Sequence, residues 1–376
     1  MIERPEALAD PVLEYIPSRP VVSVRSILTG QRIFFPPPGL FSFARYALIY
    51  YLQYLSSLRK EPVRRVLLPD HMCHEVANSL REYGYEVGYY ALGENFHVAE
   101  KAVEEALTND PGYKVILLGH FYGRICRNLE SIIRLCRDRG VTVVEDCVHL
   151  PFPYHASFTG SDADAKLYTH RKVYPIPYGA TLVLREGQDR FDRFVRATVP
   201  KRYRGGIGEA FDWAWKQVIK RGLQLTGQGY RLPYRDLSND PLKPFNYACP
   251  GVAGLLSMRN LHDAVVRRRR NYETYLEHRS IWASWGRVLE FDVKTDVPYM
   301  FVLFLDDAFD ALTTVQSLMK RSIPAVPGLA LDECVRARLP RKHDYHKIIT
   351  LPLHQDIHEG HIRYIAHVLS SGRLPS

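Results

Sequence analysis

The stretch VTVVEDCVHLPF, residues 141–152, decides how this chain is read. Val141 to Val144 have the composition of a buried strand. That strand runs straight into two acids, Glu145 and Asp146, and His149 follows three residues after Asp146. Neighbours in a strand point to opposite faces, so Glu145 and Asp146 serve different sides of the sheet. An apolar strand that ends in polar groups fits a parallel α/β sheet, where ligands sit beyond the carboxyl ends of the strands.

Working outward, the flanking segments repeat the pattern. VRRVLLPD (63–70), EVGYYAL (86–92), KVILLGH (114–120), AKLYTH (165–170) and GATLVLRE (179–186) read as further strands. Between them SFARYALIYYLQYLSSLRK, HEVANSLREYG, AEKAVEEALTND and NLESIIRLCRDRG read as helices. The first is apolar almost all round, as a buried helix is, with cations expected in its last turn. Strands alternating with helices predict a largely parallel sheet covered on both faces. After PFNYACPG (244–251) a long helix leads into a smaller αβ unit: YMFVLFL as a strand, AFDALTTVQSLMKRS as a helix, and a last helix near HEGHIRYIAHVLSS. The expected division is an N-terminal extension over 1–38, a large domain over 39–245 and a small domain over 246–376.

Bulk properties limit the function classes. Hydrophobic residues are 46% and charged residues 24%, ordinary globular values. Nothing in MIERPEALADPVLEY resembles a signal peptide, and no apolar run approaches the roughly 20 residues of a membrane helix. Six cysteines are scattered without a CxxC pair, so neither zinc nor a disulfide framework is signalled. A cytoplasmic protein is expected. The net charge of +9 owes part to Arg267–Arg270. Leu261, Val265, Tyr272 and Leu276 around that run fall at helical spacing, so a helix with one solvated basic face is preferred over a nucleic-acid surface.

Three strand ends carry chemistry: His120; Asp146 with His149; Thr169 with Lys172. A fourth element is the helix N-terminus at SFAR. An acid, an imidazole, a lysine and a helix N-terminus around one sheet edge suit pyridoxal 5'-phosphate (PLP). That cofactor needs an amine for a Schiff base, a carboxylate on its pyridinium nitrogen and an anion site for its phosphate.

These pieces resemble the DegT/DnrJ/EryC1/StrS aminotransferases, best known for aminating nucleotide-linked keto sugars. EDCVH looks like the family's Glu-Asp-Ala-Ala-His/Gln. THRKVYPIPYGATLVL looks like its serine, lysine and glycine-glycine strand, with Gly179 seven residues after Lys172. NYACPGVAGLLSMRNLHDAVVRRRRNY looks like its Asn-Tyr-Arg dimer segment, and ITLPLHQDI like its Leu-Pro-Leu-His. The resemblance implies fold type I of the PLP-dependent transferases, an α/β large domain with a mostly parallel mixed sheet and a smaller C-terminal α+β domain. It implies Lys172 as the Schiff-base lysine and proton shuttle, Asp146 on the ring nitrogen and His149 at the ring 3-hydroxyl. At the phosphate site, Ala44 and Arg45 stand where the family has Gly-Thr, and Thr169 stands near its serine. Asn246 would reach the phosphate from the partner subunit of a homodimer with shared active sites, while the arginine beside it in the family is Ala248 here. His120 would line the pocket. The reaction implied is transamination from a small amino donor, glutamate or glutamine, to a keto or aldehyde acceptor. The alternatives are a PLP enzyme without transaminase chemistry and a PLP-binding or nucleic-acid-binding regulatory protein.

Overall fold

The computed structural model describes residues 16–17, 41–151, 160–173, 179–198, 215, 261–340 and 343–371. Helix α1 (Ala44–Leu58) is followed by β1 (Arg65–Pro69), α2 (His74–Glu82), β2 (Glu86–Tyr90), α3 (Glu100–Asn109), β3 (Val115–Gly119), α4 (Leu129–Asp138), β4 (Thr142–Asp146), β5 (Ala165–Thr169), β6 (Ala180–Leu184) and α5 (Gln188–Thr198). The strands form one sheet in the order β2-β1-β3-β4-β5-β6. All neighbours are parallel except β5 and β6, which run antiparallel. The sheet is therefore mostly parallel and mixed, as the sequence led one to expect.

The central strands are buried on both faces. Every residue of β3 is buried, and β4 is buried up to Glu145. One face packs on α1, whose Tyr46, Leu48, Ile49 and Leu52 join Val66, Leu68 and Leu117 in one core. The other face packs Leu67, Ile116, Leu118 and Val143 against Val103, Ile132 and Ile133. Each such side chain contributes about 1.5–3 kcal/mol on burial. The last turn of α1 holds no base; Arg59 and Lys60 follow the helix rather than ending it.

A second, four-stranded sheet has the order β7-β8-β10-β9, made of β7 (Gly286–Val288), β8 (Met300–Leu305), β9 (Val326–Pro327) and β10 (Ile348–Pro352). It packs with α6 (Leu261–Glu277), α7 (Arg279–Ala283), α8 (Ala311–Lys320) and α10 (Glu359–Ser370), while the short α9 (Glu333–Arg336) precedes β10. Strand β10 is the core of ITLPLHQDI and was not read as a strand from the sequence. The reading of Arg267–Arg270 as one solvated face needs correction. Arg268 is wholly buried, and Arg269 donates to the carbonyls of Asp296 and Thr295; only Arg267 and Arg270 are exposed.

Among the described residues no helix is long and apolar enough to cross a membrane. The expected boundary near residue 245 lies outside the described residues.

Candidate active site

Because β1, β3, β4 and β5 are adjacent and parallel, their carboxyl ends open on one edge. Asp146 closes β4. It is half-buried, while the other residues of its strand are buried. The Val148 N–H donates to its Oδ1 at 3.1 Å. Burial raises its pKa, and the nearby Lys172 pulls it back toward the ionised form. Glu145, one residue earlier, faces the opposite side, as strand alternation requires. There it is completely buried, with His120 Nε2 at 2.9 Å, Lys166 Nζ at 3.3 Å, and Ser161 donating to it. The two acids of the opening stretch thus serve two environments, one closed on itself and one open at the sheet edge.

His149 is held in a defined tautomer. The Tyr122 backbone N–H donates to its Nδ1 at 3.0 Å, so Nε2 carries the proton of the neutral ring. Burial, then the cations Lys172 and Arg268 with His71 between them in order of effect, hold its pKa well below the usual histidine range. Its ring is stacked with Tyr122 (5.6 Å, 5°) and Tyr299 (4.8 Å, 17°). The His120 backbone is a further hydrogen-bond contact of the ring.

Lys172 ends a 3₁₀ turn, His170–Lys172, directly after β5. Its Nζ lies 5.5 Å from the centre of the Tyr299 ring. His170, two residues before Lys172, is buried with Nε2 2.7 Å from Thr181 Oγ1, and burial pushes its pKa down to about 3. Thr169 is buried at the start of the turn and makes no side-chain capping bond.

Helix α1 begins near this edge, for Phe41 bridges Ala180 and Gly179 N donates to Ser42 O. Its N-cap, Phe43, supplies no side-chain bond, and its first turn has no acid. The N–H groups of Ala44 and Arg45 are therefore suited to an anion. Arg45 itself is turned to Glu75, 2.9 Å away, and packs on Phe43 (4.5 Å) and Tyr46 (5.3 Å). Its charge is thus compensated by a carboxylate in this structure, a partner the sequence did not suggest.

The His120 backbone N–H donates to Asp146 O at 3.1 Å, but its imidazole turns away. Its Nε2 meets Glu145, and its Nδ1 accepts from the Cys126 N–H. It belongs to the closed side of β4, where Cys147 also packs. Asn246 and Ala248 lie outside the described residues.

Sequence reading missed five residues of this edge. His71, at the end of β1, is fully buried beside Phe96, Phe121 and Tyr345. Its Nε2 is 3.3 Å from Tyr122 Oη, and burial pushes its pKa down to about 3. A strand-end position was its available signal. Tyr122, Tyr299, Arg268 and Gln355 come from a turn and from the second unit, where spacing gave no signal.

The arrangement fits PLP by its donor set: a half-buried carboxylate, a neutral imidazole, a lysine and an uncapped helix start. A mostly parallel six-stranded sheet with these groups on its carboxyl edge, beside a smaller αβ unit, is the fold type I architecture of PLP-dependent aminotransferases. Residues 47–168 match the model of the DegT/DnrJ/EryC1/StrS aminotransferase family. That segment includes Asp146 and His149 and stops four residues short of Lys172.

Solved structures agree in fold. Helicobacter pylori PseC, an aminotransferase involved in the biosynthesis of pseudoaminic acid, is 16% identical with a TM-score of 0.64, covering 95% of this chain and 98% of that one. The aminotransferase TlmJ from Streptoalloteichus hindustanus is 19% identical with a TM-score of 0.64, covering 89% and 85%. An E. coli GDP-4-keto-6-deoxy-D-mannose-3-dehydratase with bound hydrated PLP is 15% identical with a TM-score of 0.59, covering 88% and 86%. No curated protein is matched by sequence.

Proposed function

We propose that this chain is a PLP-dependent aminotransferase that takes an amino group from glutamate or glutamine and passes it to a keto or aldehyde acceptor, of which a nucleotide-linked keto sugar is the leading class. The observation that carries the reading is the meeting of Asp146, His149 and Lys172 at the ends of neighbouring parallel strands, close enough for the lysine to act electrostatically on both, with His149 held neutral by burial. When bound, the cofactor supplies an electron sink for the carbanion formed at the substrate carbon. Asp146 would hold the ring nitrogen in its protonated form, and His149 would hold the ring 3-oxygen. Lys172 Nζ is the base and acid that moves the proton at the substrate carbon. Ala44 and Arg45 offer backbone N–H groups to the phosphate, and Thr169 offers its hydroxyl.

A dehydratase on the same fold is the less favoured reading, because Lys172 is present and His170 is turned into the sheet against Thr181. By resemblance, the protein is a homodimer in which Asn246 closes the partner's phosphate site, and the chain divides near residue 245. The five described cysteines are free thiols, in keeping with a cytoplasmic setting.

The test is a half-reaction. Protein loaded with PLP and given excess L-glutamate without acceptor should release one 2-oxoglutarate per site and lose its visible absorbance. Failure with both glutamate and glutamine would overturn the assignment of transamination.

A further inference from the structure

The turn that carries Lys172 is gripped from the second unit. Arg268 of α6 is wholly buried, which for an arginine demands compensation from partners. Its Nη2 donates to Lys172 O at 3.1 Å, and its Nε donates to Gln355 Oε1 at 3.1 Å. Gln355, also buried, donates through Nε2 to Val173 O at 2.7 Å. Lys172 and Val173 stand at the C-terminal end of a 3₁₀ turn, where carbonyls lack intrahelical partners and a cation is favoured. The guanidinium carbon of Arg268 also lies 5.7 Å from the centre of the Tyr299 ring that Lys172 Nζ overlies at 5.5 Å.

The segment that bears Gln355 is anchored independently. Asn271 Nδ2 donates to the carbonyls of Leu353, His354 and Ile357, and Tyr275 Oη donates to Pro352 O. The fold of the second unit therefore does not depend on what Gln355 does. Arg268 and Gln355 reach across to two successive carbonyls of the other unit, and both carbonyls belong to the lysine turn.

We infer that Arg268 and Gln355 form a positioning pair that holds the Lys172 turn in register with Asp146, so that the placement of the second unit sets the reactivity of the Lys172 amine. This rests on the reading of Lys172 given above. Misplacement of a reacting group by about 1 Å costs on the order of 100-fold. Removal of one member of the pair should lower the reactivity of Lys172 by about 10- to 100-fold while the fold persists.

The test uses the full-length chain freed of cofactor, with pyridoxal as the carbonyl probe. Borohydride fixes pyridoxal on reactive amines, and peptide mass mapping gives the yield at Lys172 relative to exposed Lys60 and Lys101. In the wild-type chain Lys172 should label ahead of both. In Gln355→Met and Arg268→Met the Lys172 ratio should fall at least 10-fold while Lys60 and Lys101 label as before and Gln355→Met keeps the circular dichroism and cooperative unfolding of the native chain. In the PLP-loaded protein kcat should fall while KM for the amino donor holds. If Arg268→Met does not fold, Gln355→Met decides alone. An unchanged Lys172 ratio in folded Gln355→Met overturns the inference. A wild-type chain in which Lys172 fails to label ahead of Lys60 overturns the reading of Lys172 itself, a separate failure.

Discussion

Gly123 supplies a test of how the two units are joined beside the site. It follows Tyr122, whose backbone N–H fixes His149, and it has φ +91°. Its carbonyl accepts from Val297 N at 3.0 Å, and Tyr122 O accepts from Tyr299 N at 2.7 Å. A Cβ at 123 would lie 1.9 Å from Val297 O and 2.8 Å from Val297 C, both backbone atoms. Gly123→Ala therefore carries two costs. Left-handed backbone in an L-residue costs about 1–2 kcal/mol. Forcing an atom into packed backbone costs about 1–3 kcal/mol more. The expected loss is about 2–5 kcal/mol. Gly140 isolates the first term, because its φ is +68° and nothing lies within 4 Å of the added atom. Gly140→Ala should cost only about 1–2 kcal/mol. Urea unfolding of the two variants measures the difference, and Gly123→Ala should also retain PLP less well than Gly140→Ala. A Gly123→Ala loss no larger than that of Gly140→Ala would refute the packing described here.

Asp146→Asn should keep the cofactor yet slow turnover on the order of 100-fold, the usual cost of removing an electrostatic partner; stopped-flow bleaching on glutamate addition reads it, and a wild-type rate would reduce Asp146 to a turn residue. His71 and His170 are held neutral by burial to about pH 3, whereas the unfolded chain takes up their protons near pH 6.5. Their depressed values mean that stability present above pH 6.5 is lost as pH falls toward 3, by up to about 2 kcal/mol each at pH 5; urea midpoints that stay level from pH 7 to 5 would contradict this. Mixing inactive Lys172→Ala with Asn246→Asp subunits should restore activity, since one site of the mixed dimer carries neither lesion; no recovery despite proven subunit exchange would mean the sites are not shared.

The sheet was legible because its strands are short apolar runs punctuated by glycine-closed helices, with Gly84 and Gly140 at positive φ after α2 and α4. Asp146 and Lys172 were legible because strand ends concentrate ligands in this architecture. Their neighbours were not. Tyr299 and Gln355 lie well over a hundred residues from Lys172 along the chain and meet it only when the second unit docks. Arg268 sat in a basic run where a solvated face is the common outcome, and only the fold shows that one of its four cations is interior. Arg45 looked like a phosphate ligand because Glu75, its partner, is 30 residues away on another helix. His120 looked equivalent to Asp146 because both end strands, yet its imidazole turns to Glu145 on the closed side.

The most direct test of the account is to load the protein with PLP, reduce it with borohydride and locate the cofactor by peptide mass. The account predicts one cofactor per chain, fixed on the peptide that contains Lys172 and absent from Lys172→Ala. Cofactor fixed on another lysine, or none retained by a folded wild-type chain, would contradict it.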